Sequence, residues 1–133
     1  MAEELQDHSL RVLAALQRAA ERAAEESAAE LVEKLRTALH GPRTGRMYGS
    51  HRASAPGEAP ATDTGLLERS TRARMVPGGV EVYVDEEAGY AARYLEWGSP
   101  GGKVAPRPWF YPTVEEHRVD FALAVAKALR EVR

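Results

Sequence analysis

The chain has 133 residues, no cysteine and a formal net charge of −2 at pH 7. That length suits one domain with a real core, and the missing thiols exclude disulfides and thiolate metal sites. The charge gives no case for bulk electrostatic attraction to nucleic acid or membrane. No apolar run approaches the roughly 18–20 residues needed to span a bilayer. An acidic N-terminus argues against a secretory leader, so a soluble protein made in the cytoplasm is expected. Much of the 44% apolar content is alanine, which predicts a thin, helix-rich core. Scarce Asn, Gln and Cys fit a hot-living source and a GC-rich genome equally well.

Residues from about Glu3 to Leu39 hold neither Gly nor Pro and are dense in strong helix formers. Leu13, Leu16, Ala20, Ala24, Ala28, Leu31, Leu35 and Leu39 recur at helical spacing, so a single helix about 50 Å long is expected. That exceeds the width of a domain of this size. Ala19, Ala20, Ala23, Ala24 and Ala28 form a seam that allows another helix close approach. The helix either lies across a sheet or sends part of its length onto a neighbouring subunit. His40-Gly41-Pro42 ends it.

From Pro42 to Thr64 the chain is rich in Gly, Pro, Ser and Thr, and a loop of that length is either functional or disordered. It reads as an extended arm carrying Arg43, Arg46, Tyr48 and Arg52, residue types that anchor interfaces. The acidic residues Glu81, Asp85, Glu86 and Glu87 offer a complementary surface on an adjacent copy.

A hairpin follows. Thr71, Ala73 and Met75 alternate with Ser70, Arg72 and Arg74, Pro77-Gly78-Gly79 turns the chain, and Val80, Val82 and Val84 alternate with Glu81, Tyr83 and Asp85. The outward face is basic on the first strand and acidic on the second, so cross-strand ion pairs can fix the register. A two-stranded hairpin alone is marginal, so helices must cover its apolar face or further strands must extend it.

Ala88 to Trp97 reads as a short helix with Ala91, Tyr94 and Leu95 on one face and Gly98 as its stop. Pro112 to Val132 reads as the last helix, its stripe Val114, Phe121, Val125, Ala128 and Val132 widened by Leu129. Proline suits the first helical position, and Thr113 with Glu116 fits a capping box. Seven of the nine aromatic residues lie between Tyr83 and Tyr111. Trp97 and Trp109 are expected to be buried where these two helices converge. The fold class is α+β in one domain, 1–133: a long helix (1–40), an extended arm (41–64), then the hairpin with two helices (65–133).

Catalysis has no sequence support. Gly98-Ser99-Pro100-Gly101-Gly102-Lys103-Val104 misses the phosphate-loop pattern by one residue of spacing, by Val104 in the Ser/Thr position and by following a helix instead of a strand. His8, His40, His51 and His117 show no metal-ligand spacing, and two of them are expected on helix surfaces. Ser50, Ser54 and Ser70 sit in no nucleophile context. The adjacent pairs Glu86-Glu87 and Glu115-Glu116 diverge on a helix and read as solvated. No cofactor and no metal are expected. Arg43, Arg46, Arg52, Arg69, Arg72 and Arg74 could meet phosphates, yet Glu58, Asp63 and Glu68 interrupt them and no aromatic platform accompanies them. A solvated or subunit-facing surface fits better. Glu96, between Leu95 and Trp97 at a helix end where the dipole disfavours it, needs a partner: Arg107, or backbone N–H groups of the intervening loop.

Three motifs in order carry a family resemblance. They are residues 51–61 running into Asp63-Thr64-Gly65-Leu66-Leu67; Tyr90-Ala91 with Leu95-Glu96-Trp97-Gly98-Ser99; and Arg107-Pro108-Trp109-Phe110 with Pro112. Over about Gly45 to Glu116 this pattern resembles the gene-product-ten-like tail-component family of long-tailed bacteriophages, the neck or tail-completion proteins. The family usually has Thr at position 99 and reads Arg-Pro-Phe-Leu at 107–110, mild departures that leave the chemistry alone. The resemblance implies a non-enzymatic virion part, assembled in the host cytoplasm, that forms a hexameric ring at the head–tail junction. Its partners would be the head connector or stopper and the tail-tube or terminator proteins, with DNA passing through without specific binding. Tyr90, Glu96, Trp97, Gly98, Arg107, Pro108 and Trp109 then join the arm residues as interface or structural positions. The alternatives are a terminator capping the tail tube and, from another class, a small nucleic-acid-binding protein using the arginines of residues 43–74.

Overall fold

The computed structural model describes residues 2–40, 45, 47–48, 51–52, 65–103 and 105–132, with backbone only at Tyr48, His51, Arg52 and Tyr90. In chain order the elements are α1 (Ala2–Ala38), β1 (Met47–Tyr48), β2 (His51–Arg52), α2 (Leu66–Ser70), β3 (Thr71–Val76), β4 (Gly79–Val84), α3 (Glu86–Trp97), a 3-10 turn at Pro100–Gly102, and α4 (Phe110–Arg130). This is the expected α+β architecture, with the short α2 added ahead of the hairpin.

A helix of 37 residues is about 55 Å long, and its two ends have different surroundings. Ala24, Ala28, Leu31, Leu35 and Leu39 of the anticipated stripe are buried. Residues 2–13 are exposed throughout, leaving Leu5, Leu10, Val12 and Leu13 open to solvent. Packing therefore accounts for the C-terminal two-thirds, and propensity alone carries the first turns. The partner of the alanine seam is α4, which runs antiparallel to α1. Ser27 meets His117 early in α4, while Ala15 and Ala19 border a cleft with Ala128 and Val132 at its end.

β3 and β4 form a two-stranded antiparallel sheet in the register Arg72↔Tyr83, Ala73↔Val82 and Arg74↔Glu81. Val76 opposes Gly79, so the turn is Pro77-Gly78, with Gly78 at φ +82°. Proline then glycine at positive φ is the type II pattern. The anticipated cross-strand pairs are present: Arg74 meets Glu81 at 2.8 Å and also lies over the Tyr83 ring, and Arg72 meets Asp85 at 3.2 Å. Val80 and Val82 face α1 and α4 across an apolar cleft of about 270 Å³ that Phe110, Val114 and Phe121 also line. Helices cover this face, but loosely.

The buried centre is Leu31, Leu35, Leu39, Ala92 and Trp109, with Val82, Val84, Phe110 and Val114 against it. α3 contributes through Ala88, Ala92 and Glu96, an i, i+4, i+8 stripe. That corrects the expected face of Ala91, Tyr94 and Leu95, since Ala91 is exposed. On α4 the most buried residue is His117, and Leu129 is 37% exposed, outside the stripe it was expected to widen.

Candidate functional site

The second and third motifs fold into one corner. α3 ends at Trp97, and Gly98 follows at φ +86° with its N–H bonded to the Tyr94 carbonyl at 2.7 Å. A β-carbon at that φ is strained, which is why glycine stands there. The loop returns so that the Arg107 N–H meets the Leu95 carbonyl. Flanking Pro106 and Pro108 favour the extended backbone this requires. Trp109 then drops into the core at 2% exposure, and α4 begins.

Glu96 closes the corner. One of its oxygens accepts the N–H groups of Trp109 (2.9 Å) and Phe110 (3.0 Å), and the other accepts Tyr111 (2.9 Å). A helix start leaves its first N–H groups without intrahelical partners. Here the next residue, Pro112, has no N–H to satisfy, and Thr113 already donates to the Trp109 carbonyl. The carboxylate thus serves every amide at this end that needs it, and it sits where the α4 dipole favours negative charge. Of the two partners anticipated for Glu96, backbone N–H groups are found, but they are those of Trp109, Phe110 and Tyr111 at the start of α4 and not those of the loop between Glu96 and Arg107. The other partner, Arg107, reaches instead the Ala105 carbonyl at 3.3 Å, and no ion pair joins Arg107 to Glu96 among the described residues.

Three expectations are corrected at this corner. Helix α4 starts at Phe110, two residues before the expected Pro112, because Glu96 supplies the cap from outside the helix. The Thr113–Glu116 capping box is accordingly absent, and the Thr113 hydroxyl bonds back to the Trp109 carbonyl at 2.7 Å. Trp97 is not buried but 64% exposed. With Glu96 turned inward, its neighbour lies about 100° around the helix and faces water. There it pairs with Tyr111, itself 52% exposed, at a ring-centroid distance of 5.2 Å. Pro108 is also exposed.

Tyr90 lies in α3, and its side chain is outside the described residues. Of the arm, Tyr48 pairs with His51 and Arg52 with Met47 in the small β1–β2 ladder. Arg43, Arg46 and the side chains of Tyr48 and Arg52 lie outside the described residues, as does the rest of the first motif before Gly65.

A buried polar pairing at the α1–α4 crossing was not anticipated. His117, 1% exposed, was among the histidines with no assigned role, and it is not on a helix surface. Its Nδ1 lies 2.9 Å from Lys34 Nζ, and an ammonium can only donate, so Nδ1 accepts. The ring proton then sits on Nε2, which faces the Ser27 carbonyl at 2.9 Å with the Ser27 hydroxyl 2.8 Å away. Lys34 also reaches Asp120 at 3.4 Å. The available signal was positional: Ser27 interrupts the stripe between Ala24 and Leu31, and His117 that between Val114 and Phe121.

The described residues hold no cluster of three or more metal-ligating side chains, and none of their helices is long and apolar enough to cross a membrane. No family model, curated protein or solved structure matches the chain.

Proposed function

We propose that this chain is a structural part of a bacteriophage head–tail junction: a neck or tail-completion protein that assembles as a ring, with six copies as the working number. The observation that supports this reading best is the corner itself. Two motifs that resemble the tail-component family, separated by a loop, bind each other through the Glu96 carboxylate and the Leu95–Arg107 backbone bond. Side chains spent on holding backbone suit an architectural part. The exposed Trp97–Tyr111 pair and the bare leucines of α1 add apolar surface of the kind that marks contacts between proteins.

The nucleic-acid reading is weaker. Arg72 and Arg74 already face Asp85 and Glu81, so a phosphate would have to displace carboxylates. Purified protein, alone and mixed with connector and tail-tube proteins, tests the proposal by native mass measurement and electron microscopy. A ring that joins tube to connector supports it. A protein that stays monomeric with both partners, or binds DNA with a steep salt dependence, counts against it.

A further inference from the structure

The phase of the β3–β4 ladder shows which backbone groups are spent. The Asp85 N–H bonds to the Ser70 carbonyl, and with the register of the two strands this makes Arg72–Tyr83 and Arg74–Glu81 the hydrogen-bonded pairs. Val80, Val82 and Val84 therefore turn their N–H and C=O groups away from β3, along a free edge. On the opposite edge Ala73 and Met75 do the same, while the Thr71 carbonyl is taken by Arg36 at 3.0 Å. The Thr71 N–H is likewise taken, by the Glu68 carbonyl, and among the described residues no other backbone bond reaches the outer edge of either strand. Two open edges on a two-stranded sheet are a template for pairing.

We propose that copies of this chain join head to tail through these edges, β4 of one copy pairing antiparallel with β3 of the next. Three features select a second copy as the occupant. Both strands have six residues, and both edges expose the backbone of the residues whose side chains lie on the helix-facing side. Pairing them therefore keeps that face continuous. Charge alternates in the right sense, because Glu81 on the outward face of β4 and Asp85 just past its end would meet the arginines of the next β3 just as they meet their own. Met75, 43% exposed on that strand, would bring its side chain towards the apolar cleft beside Val80 and Val82. Such a contact uses two different surfaces, so it propagates until the rotation closes a ring. The inference rests on the self-association part of the proposed function and not on its viral setting.

The chain has no cysteine, so single cysteines report the pairing cleanly. Ala73→Cys protein is mixed with Val82→Cys protein, and separately with Val80→Cys or Val84→Cys protein to allow for a shifted register, then oxidised. Residues opposed across a sheet have Cα atoms about 5.5 Å apart, within disulfide reach. Expected is a linked dimer in at least one mixture and none in any single-variant sample. Linkage in Val82→Cys alone means β4 pairs with β4 and overturns the proposal. So does an assembled ring that links in no mixture, an outcome that leaves the ring reading standing. A monomer at every concentration overturns both. Hydrogen exchange of the unsubstituted protein gives a second readout. On assembly the amides of Val80, Val82 and Val84 should slow about tenfold or more, while Glu81 and Tyr83 are protected in both states. Equal exchange of the three valines in both states overturns the proposal without relying on any variant.

Discussion

At the α3–α4 corner a carboxylate serves backbone amides 13 to 15 residues further on. At the α1–α4 crossing an imidazole joins a carbonyl and an ammonium from a helix some 83 to 90 residues away. Both side chains are nearly sealed from solvent. Glu96 fixes where a helix begins, and without it three amides lose their acceptor. His117 fixes which rungs of two finished helices face each other, and an apolar residue of similar size could fill much of its space. Buried polar groups thus serve two ends here: one completes secondary structure, the other selects a pairing between elements already formed.

Substitutions can break that comparison. Trp109→Ala removes the side chain beside the corner and should cost about 3–5 kcal/mol in denaturant unfolding. A loss under about 1 kcal/mol would mean that the corner is not part of the core. Its indole N–H has no hydrogen-bond partner among the described residues, so Trp109→Phe should be far milder than the alanine change. Next comes Glu96→Gln, which keeps the shape but turns one acceptor into a donor facing N–H groups. About 2–3 kcal/mol is expected, with loss of helical circular dichroism from the start of α4.

His117→Leu should cost about 1–2 kcal/mol, since it strands a carbonyl but keeps volume. If it costs more than Glu96→Gln, the ranking of the two regions is reversed. Smallest is the Arg74–Glu81 pair, 57% and 45% exposed. A double-mutant cycle should return less than about 1 kcal/mol and shrink with salt, and a larger salt-independent coupling would show that the hairpin register depends on it.

Sequence reading recovered the hairpin because alternation, charge and the Pro-Gly turn agreed over residues 71–84. It found the α3 stop at Gly98 for the same reason of local agreement. Glu96 was visible as a misplaced charge, and its partner was narrowed to Arg107 or the loop before it, just short of the amides of Trp109 to Tyr111 that it serves. Trp97 was misread because a large aromatic beside a helix end suggests burial, whereas the inward position belonged to the carboxylate next to it. His117 and Ser27 were hidden by distance. Each interrupts an apolar stripe on its own helix, and only the antiparallel docking of α1 on α4 puts the two interruptions opposite each other.

The corner also bears on the order in which the chain can fold. Closing it ties up a loop of about a dozen residues, while docking α1 on α4 closes one of about 90. By the logarithmic cost of loop closure these differ by about 1.8 kcal/mol of chain entropy. The short loop therefore closes first, and the C-terminal half can hold its turn before the long helix arrives. Substitutions at Glu96 should then slow refolding, with φ-values well above those at His117, whose changes should speed unfolding instead.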